Sequence, residues 1–281
     1  MALRSIACRL RELANRLHRF AGNYRFLTDV AVKLRNQCEC VIGYALGEDA
    51  EVTDEGNSER WLIASVARDV NTFFDVGANR GDWTRALLDH NPAAAGAIFE
   101  PVDWCFGELQ KSFGGNPKLH LFQVALSDRA GRAAFGVMPG NVKTSSLFVD
   151  RAVGAERVVD IEVTTVDEIA ASLKWPKVNF LKVDCEGSDL LVLRGAEGML
   201  ASDGVDLVQF EYNTMWPHSG CTLAAALQLL RRYGFVVWLL RQQRLSHFDY
   251  KKWGEFFRFA NFVAIRRGTP FEATLKHATC S

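Results

Sequence analysis

The sequence has no apolar run near the roughly 18 residues that a membrane span needs, and it contains no internal repeat and no low-complexity tract. It has no excess of either charge: 33 basic residues balance 33 acidic ones. That balance gives no reason to expect a nucleic-acid partner, whose phosphates select a basic surface. Cysteine is sparse and odd in number, seven in 281 residues. Scattered thiols in a chain long enough to bury a core read as reduced cysteines of a cytoplasmic protein. Cys38 and Cys40 form a lone C-x-C pair with no second pair at zinc spacing. A secretory signal is not expected either, because arginines at 4, 9, 11, 16 and 19 interrupt any apolar segment at the start.

What is present divides into two parts. Residues 1–35 carry eight Lys/Arg against Glu12 and Asp29, and residues 48–59 then carry six acids and no aliphatic or aromatic periodicity. Leu3, Ile6, Leu10, Leu13 and Leu17 recur at spacings of three and four, which predicts an amphipathic helix with a basic face. Such helices usually pack on their own domain or on a second subunit, so a homodimer contact is the first expectation and membrane association the less common one. Residues 1–59 therefore read as a helical extension and acidic linker, and 60–281 as the main domain.

From residue 60 the pattern alternates strands and helices. Strands are expected at 71–76, 95–99, 119–125, 178–183, 205–212, 236–240 and 261–266, with a hairpin of 133–137 and 158–164. Thr165 begins T-V-D-E, a capping pattern for a helix to about Leu173. Alternation of this kind predicts a mostly parallel, doubly wound α/β sheet whose ligands sit at the carboxyl ends of the strands.

The strongest local signal is Asn71-Thr-Phe-Phe-Asp-Val-Gly-Ala-Asn-Arg-Gly-Asp-Trp-Thr84. An apolar strand runs into glycines that allow close approach and then into a helix whose N-terminus attracts an anion. Asp75 suits a cationic amine beside it. A carboxylate and an ammonium together describe an amino acid, such as the methionine part of S-adenosylmethionine. Glu100, in Phe99-Glu100-Pro101, lies 19 residues past Gly81, at a spacing that suits an acid on both ribose hydroxyls. Ala125 and Leu126 are placed to flank an adenine ring. An NAD(P)-binding oxidoreductase is the rival reading, but it wants G-x-G-x-x-G, and positions 79 and 80 are Asn and Arg. A catalytically silent S-adenosylmethionine binder is a third.

These motifs, with TTVDE at 164–168, VNFLKVDCEGSDLLVLRGAEGML at 178–200 and FEYN at 210–213, resemble the FkbM family of S-adenosylmethionine-dependent methyltransferases. The resemblance implies a class I methyltransferase (Rossmann-like) sheet of seven strands with the last antiparallel. It implies O-methylation of a sugar or other small molecule. Cofactor positions then fall on Asp75, Gly77, Asn79, Gly81, Glu100, Pro101, Ala125, Leu126 and Asp184. Candidates for proton removal are Asp184 and Glu211, with Lys182 orienting the base or stabilising an oxyanion. His218, after Trp216-Pro217, is a further candidate base. Ser145 and Ser146, in a polar loop, and Glu186 and Asn213 are placed to contact the acceptor. A Mg²⁺ ion on Asp184, Glu211 and Asn213 is the alternative to a metal-free site.

Overall fold

The computed structural model describes residues 2–46, 58–137, 157–241 and 243–280. The chain divides into two compact units, Met1–Ala45 and Leu46–Ser281. The first is built from α1 (Ala2–Gly22) and α2 (Arg25–Leu46), joined by a turn in which the Tyr24 N–H donates to Ala21 O at 3.1 Å. Sequence spacing predicts α1; α2 is not among the expected elements, although Leu27, Val30, Leu34, Cys38 and Val41 recur at spacings of three and four.

The second unit follows the expected alternation. Its elements begin with α3 (Ser58–Val66), β1 (Thr72–Val76), α4 (Asp82–His90), β2 (Ala95–Phe99), α5 (Asp103–Phe113) and β3 (Leu119–Phe122). Next come β4 (Ala125–Leu126), β5 (Gly131–Val137), β6 (Arg157–Thr164), α6 (Val166–Leu173), β7 (Val178–Val183), α7 (Asp189–Arg194) and α8 (Glu197–Ala201). The rest is β8 (Val205–Tyr212), α9 (Leu223–Arg232), β9 (Phe235–Arg241), β10 (Arg244–His247), α10 (Tyr250–Trp253), β11 (Ala260–Arg266), α11 (Pro270–Leu275) and β12 (Thr279–Cys280).

Among the described residues the main sheet has nine strands in the order β12-β10-β9-β11-β8-β7-β1-β2-β3. β1, β2, β3, β7 and β8 are parallel to their neighbours within that set. β11 is antiparallel to both β8 and β9. The seven strands expected are all present; β10 and β12 extend the edge beyond β9. The predicted strand 119–125 is two strands. β3 ends at Phe122, and β4 leaves for a separate three-stranded sheet, where it pairs with β6. The predicted hairpin is β5 against β6, antiparallel from Gly131↔Val163 to Val137↔Arg157.

The central strands are largely buried and apolar, as strands packed under helices are. Phe73, Leu87, Ile98, Phe180, Leu207 and Val263 form one buried cluster, each worth about 1.5–3 kcal/mol of burial. Trp83 packs into it, with its ring centroid 5.0 Å from Phe180 and 5.8 Å from Phe73. The capping pattern at Thr165 is realised: its hydroxyl accepts from Glu168 N at 3.1 Å, and Glu168 Oε2 accepts from Thr165 N at 3.3 Å.

Candidate active site

The turn after β1 lies in the middle of the parallel part of the sheet, flanked by β2 on one side and β7 on the other. Gly77 N and Ala78 N both donate to Phe99 O, at 3.1 and 3.0 Å, which ties the turn to the end of β2. Gly77 has φ +76° and Gly81 φ +83°, the latter as the residue that opens α4. Both glycines are required by the protein itself. A Cβ on Gly77 would lie 1.9 Å from the Asp184 carbonyl, and one on Gly81 would meet Phe113 at 2.4 Å. The close approach predicted for a ligand is therefore made, at these two positions, by neighbouring chain.

Asp75 is fully buried, and both of its oxygens are engaged. Thr84 Oγ1 donates to Oδ2 at 2.7 Å, and Lys182 Nζ faces Oδ1 at 3.2 Å. In this structure it turns to Lys182 rather than to an open cleft. Lys182 also reaches Asp184 Oδ2 at 3.4 Å and donates to Gly77 O at 3.2 Å. Burial works against its charge, but Asp75 and Asp184 outweigh that and hold the ammonium above the usual lysine range. Lys182 Nζ thus stands beside Asp184, the carboxylate it was expected to orient, and within 3.4 Å of one oxygen each of Asp75, Asp184 and Gly77.

Glu100 ends β2 in a buried position. Its Oε2 accepts from Asn79 N at 2.8 Å and its Oε1 from Val102 N at 2.9 Å. Burial outweighs these two bonds and pushes the carboxyl up to about 7. Each oxygen keeps a further lone pair, so a vicinal diol donating to both would hold the charge where the protein alone does not. This is the observation that fits the chain to the ribose of S-adenosylmethionine. Asn79, at φ +50°, shapes the same turn, and Cys105 Sγ donates to its side-chain oxygen at 3.4 Å. Pro101 follows half-buried, and Ala125 and Leu126 are buried in β4.

A group of carboxylates gathers at the ends of β7 and β8. Asp184, Glu186 and Glu211 each bring an oxygen to within 4.8 Å of the others. Asp184 N donates to Val76 O at 3.0 Å, so the group adjoins the cofactor turn. Glu186 (φ +48°) and Gly187 (φ +99°) make the reversal that aims Glu186 inward, a conformation that is strained for a glutamate. Asn213 Nδ2 bridges the group, donating to Glu211 Oε1 at 2.6 Å and Glu186 Oε2 at 3.1 Å. Its Oδ1 accepts from Met215 N at 2.9 Å. In the candidate metal set the structure therefore brings Glu186 in where Asn213 was expected, and Asn213 serves as a strut between carboxylates.

Asp189 and Glu255 escaped the sequence reading. Asp189 is fully buried; its Oδ1 accepts from Glu211 N at 3.2 Å and its Oδ2 from Gly187 N at 3.3 Å. It joins the two strand ends, and burial with the charge of Asp184 pushes it up to about 8. Glu211 is also raised well above the carboxylate range, by burial first and then by Asp184, Glu186 and Asp189. Glu255 accepts from Tyr212 Oη at 2.8 Å and from Leu223 N and Ala224 N at 3.0 and 2.9 Å, pinning the end of β8 to the start of α9. His218 lies exposed on a short 3₁₀ turn, Trp216–Ser219, and does not join the three carboxylates. Ser145 and Ser146 lie outside the described residues.

A family model for the methyltransferase FkbM domain matches residues 75–237, from the end of β1 to within β9. The chain belongs to this family. It is a methyltransferase by that membership, and the oxidoreductase reading falls with it. Two relatives align over part of the chain. The 2-O-methyltransferase NoeI of Sinorhizobium fredii is 21% identical over 191 residues, 63% of this chain and 78% of that protein. The hexuronic acid methyltransferase AglP of Haloferax volcanii is 29% identical over 149 residues, 53% of this chain and 59% of that protein. Among solved structures, methyltransferase FkbM from Methylobacillus flagellatus superposes with a TM-score of 0.43 at 14% identity, over 69% of this chain and 44% of that one. A TehB-like methyltransferase from Corynebacterium glutamicum gives 0.41 at 14% identity, over 85% and 97%. The FkbM family and its fold imply S-adenosylmethionine as methyl donor.

Proposed function

We propose that this FkbM-family methyltransferase transfers a methyl group from S-adenosylmethionine to a hydroxyl of a sugar. The reading rests on one observation above all: a carboxylate cluster beside the turn after β1, in which the buried Glu211 is held as a better proton acceptor than an ordinary carboxylate. The names of the two relatives, a 2-O-methyltransferase and a hexuronic acid methyltransferase, support a sugar as acceptor.

When bound, the cofactor supplies a methyl group already activated on a sulfonium. The chain must bind it, align the acceptor and remove a proton. Glu100, with Asn79 and Pro101 around it, would take the ribose hydroxyls. Asp75, Gly77 and Gly81 shape the turn, and Ala125, Leu126 and Asp184 frame the rest of the cofactor. Glu211 would accept the acceptor's hydroxyl proton on its free carboxylate oxygen. Asp184, fixed by Lys182, and Glu186 with Asn213 would hold neighbouring hydroxyls. Alignment contributes on the order of 7–11 kcal/mol in such reactions, and a positioned base about 10²–10⁴-fold.

A divalent cation is the second reading, favoured by three carboxylate oxygens within 4.8 Å of one another. A Mg²⁺ ion there would lower the hydroxyl's pKa.

The test is transfer from labelled S-adenosylmethionine to a panel of hexose and hexuronic acid glycosides, with and without EDTA. A methylated sugar supports the reading, and its loss in EDTA with rescue by Mg²⁺ selects the metal form. S-adenosylhomocysteine binding without transfer to any sugar would move the acceptor to another class, or leave a silent binder.

A further inference from the structure

Within its own unit, helix α1 presents an apolar stripe that no described residue covers. Leu13, Leu17 and Phe20 are 56%, 59% and 59% exposed. At 100° per residue they fall within an arc of about 60° on one side of the helix. The sequence spacing carries the same stripe back through Leu10, Ile6 and Leu3. Beyond the helix, Tyr24 packs on Phe20 with ring centroids 4.9 Å apart, and Phe26 at the start of α2 is 75% exposed.

The charge on α1 is mostly basic. Arg11, Arg16, His18 and Arg19 are exposed on α1, and Glu12 is the only acid in residues 1–28 against six arginines. Exposed leucine and phenylalanine in a row need a cover. A second copy of this helix would set arginine against arginine. An anionic phospholipid surface meets both demands: the acyl boundary takes the apolar stripe, and the lipid phosphates take the guanidinium groups, Arg16 beside the stripe and Arg11 and Arg19 from farther round the helix on long stems. Among the described residues no helix is long and apolar enough to cross a membrane, so the geometry is that of a helix lying in the interface.

We infer that α1 binds along the surface of an anionic phospholipid membrane, with Leu13, Leu17 and Phe20 inserted and the arginines at the headgroups. The methyltransferase unit is thereby tethered beside that surface by continuity of the chain. The inference rests on the helix and stands whatever the acceptor is.

The experiment is flotation of the full chain with vesicles of phosphatidylcholine alone and of phosphatidylcholine mixed with phosphatidylglycerol. The full chain is expected to float with the mixed vesicles, to stay behind with the neutral ones, and to be released by salt. Leu17→Glu with Phe20→Glu should abolish flotation. Arg16→Glu with Arg19→Glu should weaken it by more than tenfold, at about fivefold for each basic charge lost near the surface. Both double variants should bind S-adenosylhomocysteine as the wild type does, which separates loss of the surface from loss of the fold. Absence of flotation, or equal flotation with neutral vesicles, overturns the inference. So does a wild-type dimer that ignores vesicles and becomes monomeric in the Leu17→Glu, Phe20→Glu variant, because the stripe would then belong to a second copy.

Discussion

Asp75 and Lys182 stand opposite each other in register on the adjacent parallel strands β1 and β7, with their charged groups 3.2 Å apart and out of reach of solvent. The same ammonium touches Asp184 and the Gly77 carbonyl. One buried cation thus links the turn after β1 to the first carboxylate of the cluster at the ends of β7 and β8.

Breaking that pair should be costly. Lys182→Met leaves Asp75 buried beside Asp184 without its cation, which costs about 3–5 kcal/mol in comparable sites. Adding Asp75→Asn removes the orphaned charge and should recover much of the loss. Urea unfolding of the two single variants and the double variant measures the coupling directly. A double variant no more stable than Lys182→Met would show that the pair is not what holds the turn.

Glu100 predicts a pH dependence for cofactor binding. Burial pushes its carboxyl up to about 7, and in the proposed role the ionised form is the one that would accept two ribose hydroxyls. Affinity for S-adenosylhomocysteine should therefore be flat above pH 7 and weaken by up to about tenfold per unit below it. Linkage also fixes the sign for stability. A carboxyl raised on folding favours the fold below its unfolded value, and that contribution is lost as pH rises through about 7. Calorimetric titration between pH 5.5 and 8.5 reads the first effect. Glu100→Gln should bind weakly with no such slope; an unchanged slope in that variant would place the titrating group elsewhere.

Much of this arrangement is legible in the chain's own residues, and the exceptions have physical causes. The strands of the parallel sheet stand out because Thr72–Val76, Val178–Val183 and Val205–Tyr212 are apolar runs closed by glycine or polar residues. β10 is Arg-Leu-Ser-His at an edge and buries only Leu245, so no periodicity marks it. The split of β3 from β4 is hidden in an unbroken Leu-Phe-Gln-Val-Ala-Leu, since the choice between two sheets is made by tertiary pairing. Asp75 and Asp184 are visible as acids at strand ends, but their shared cation depends on strand register. Asp189 reads in sequence as an ordinary acid at a helix start. Its bond to Glu211 N exists only because β7 and β8 are neighbours, which no local pattern states.

Two glycines should respond in opposite ways to the same substitution. Gly77→Ala puts a Cβ 1.9 Å from the Asp184 carbonyl at φ +76°, a strain of about 1–3 kcal/mol before any clash. Gly107, inside α5, has open space where an added methyl would stand, with nothing within 4 Å. Gly107→Ala should stabilise by about 0.5–1 kcal/mol through helix propensity. Thermal unfolding should separate the two by several degrees, at about 2–4 °C per kcal/mol for a domain of this size. Equal melting temperatures would refute the packing of Gly77 under Asp184.

Glu211 is where the proposed chemistry is most exposed to test. Its carboxyl is buried, raised, and surrounded by Asp184, Glu186 and Asp189, with the Asn213 amide donating to one of its oxygens. A group so placed takes up a proton readily when a hydroxyl is set against its free oxygen. Glu211→Gln keeps the shape and removes that capacity, so kcat should fall by about 10²–10⁴-fold. Binding of S-adenosylhomocysteine should not change, because the ribose contact is proposed for Glu100 on β2. Asp189→Asn gives the contrast. It alters the strut behind Glu211 without touching the acceptor, so it should lower kcat less. It should also bring the acid limb of the kcat profile down in pH, because one of the charges that raise Glu211 is gone. The raised carboxyl must be ionised to act, so wild-type activity should climb with pH through that limb. Retention of full kcat in Glu211→Gln would remove it as the base and return the role to Asp184 or His218.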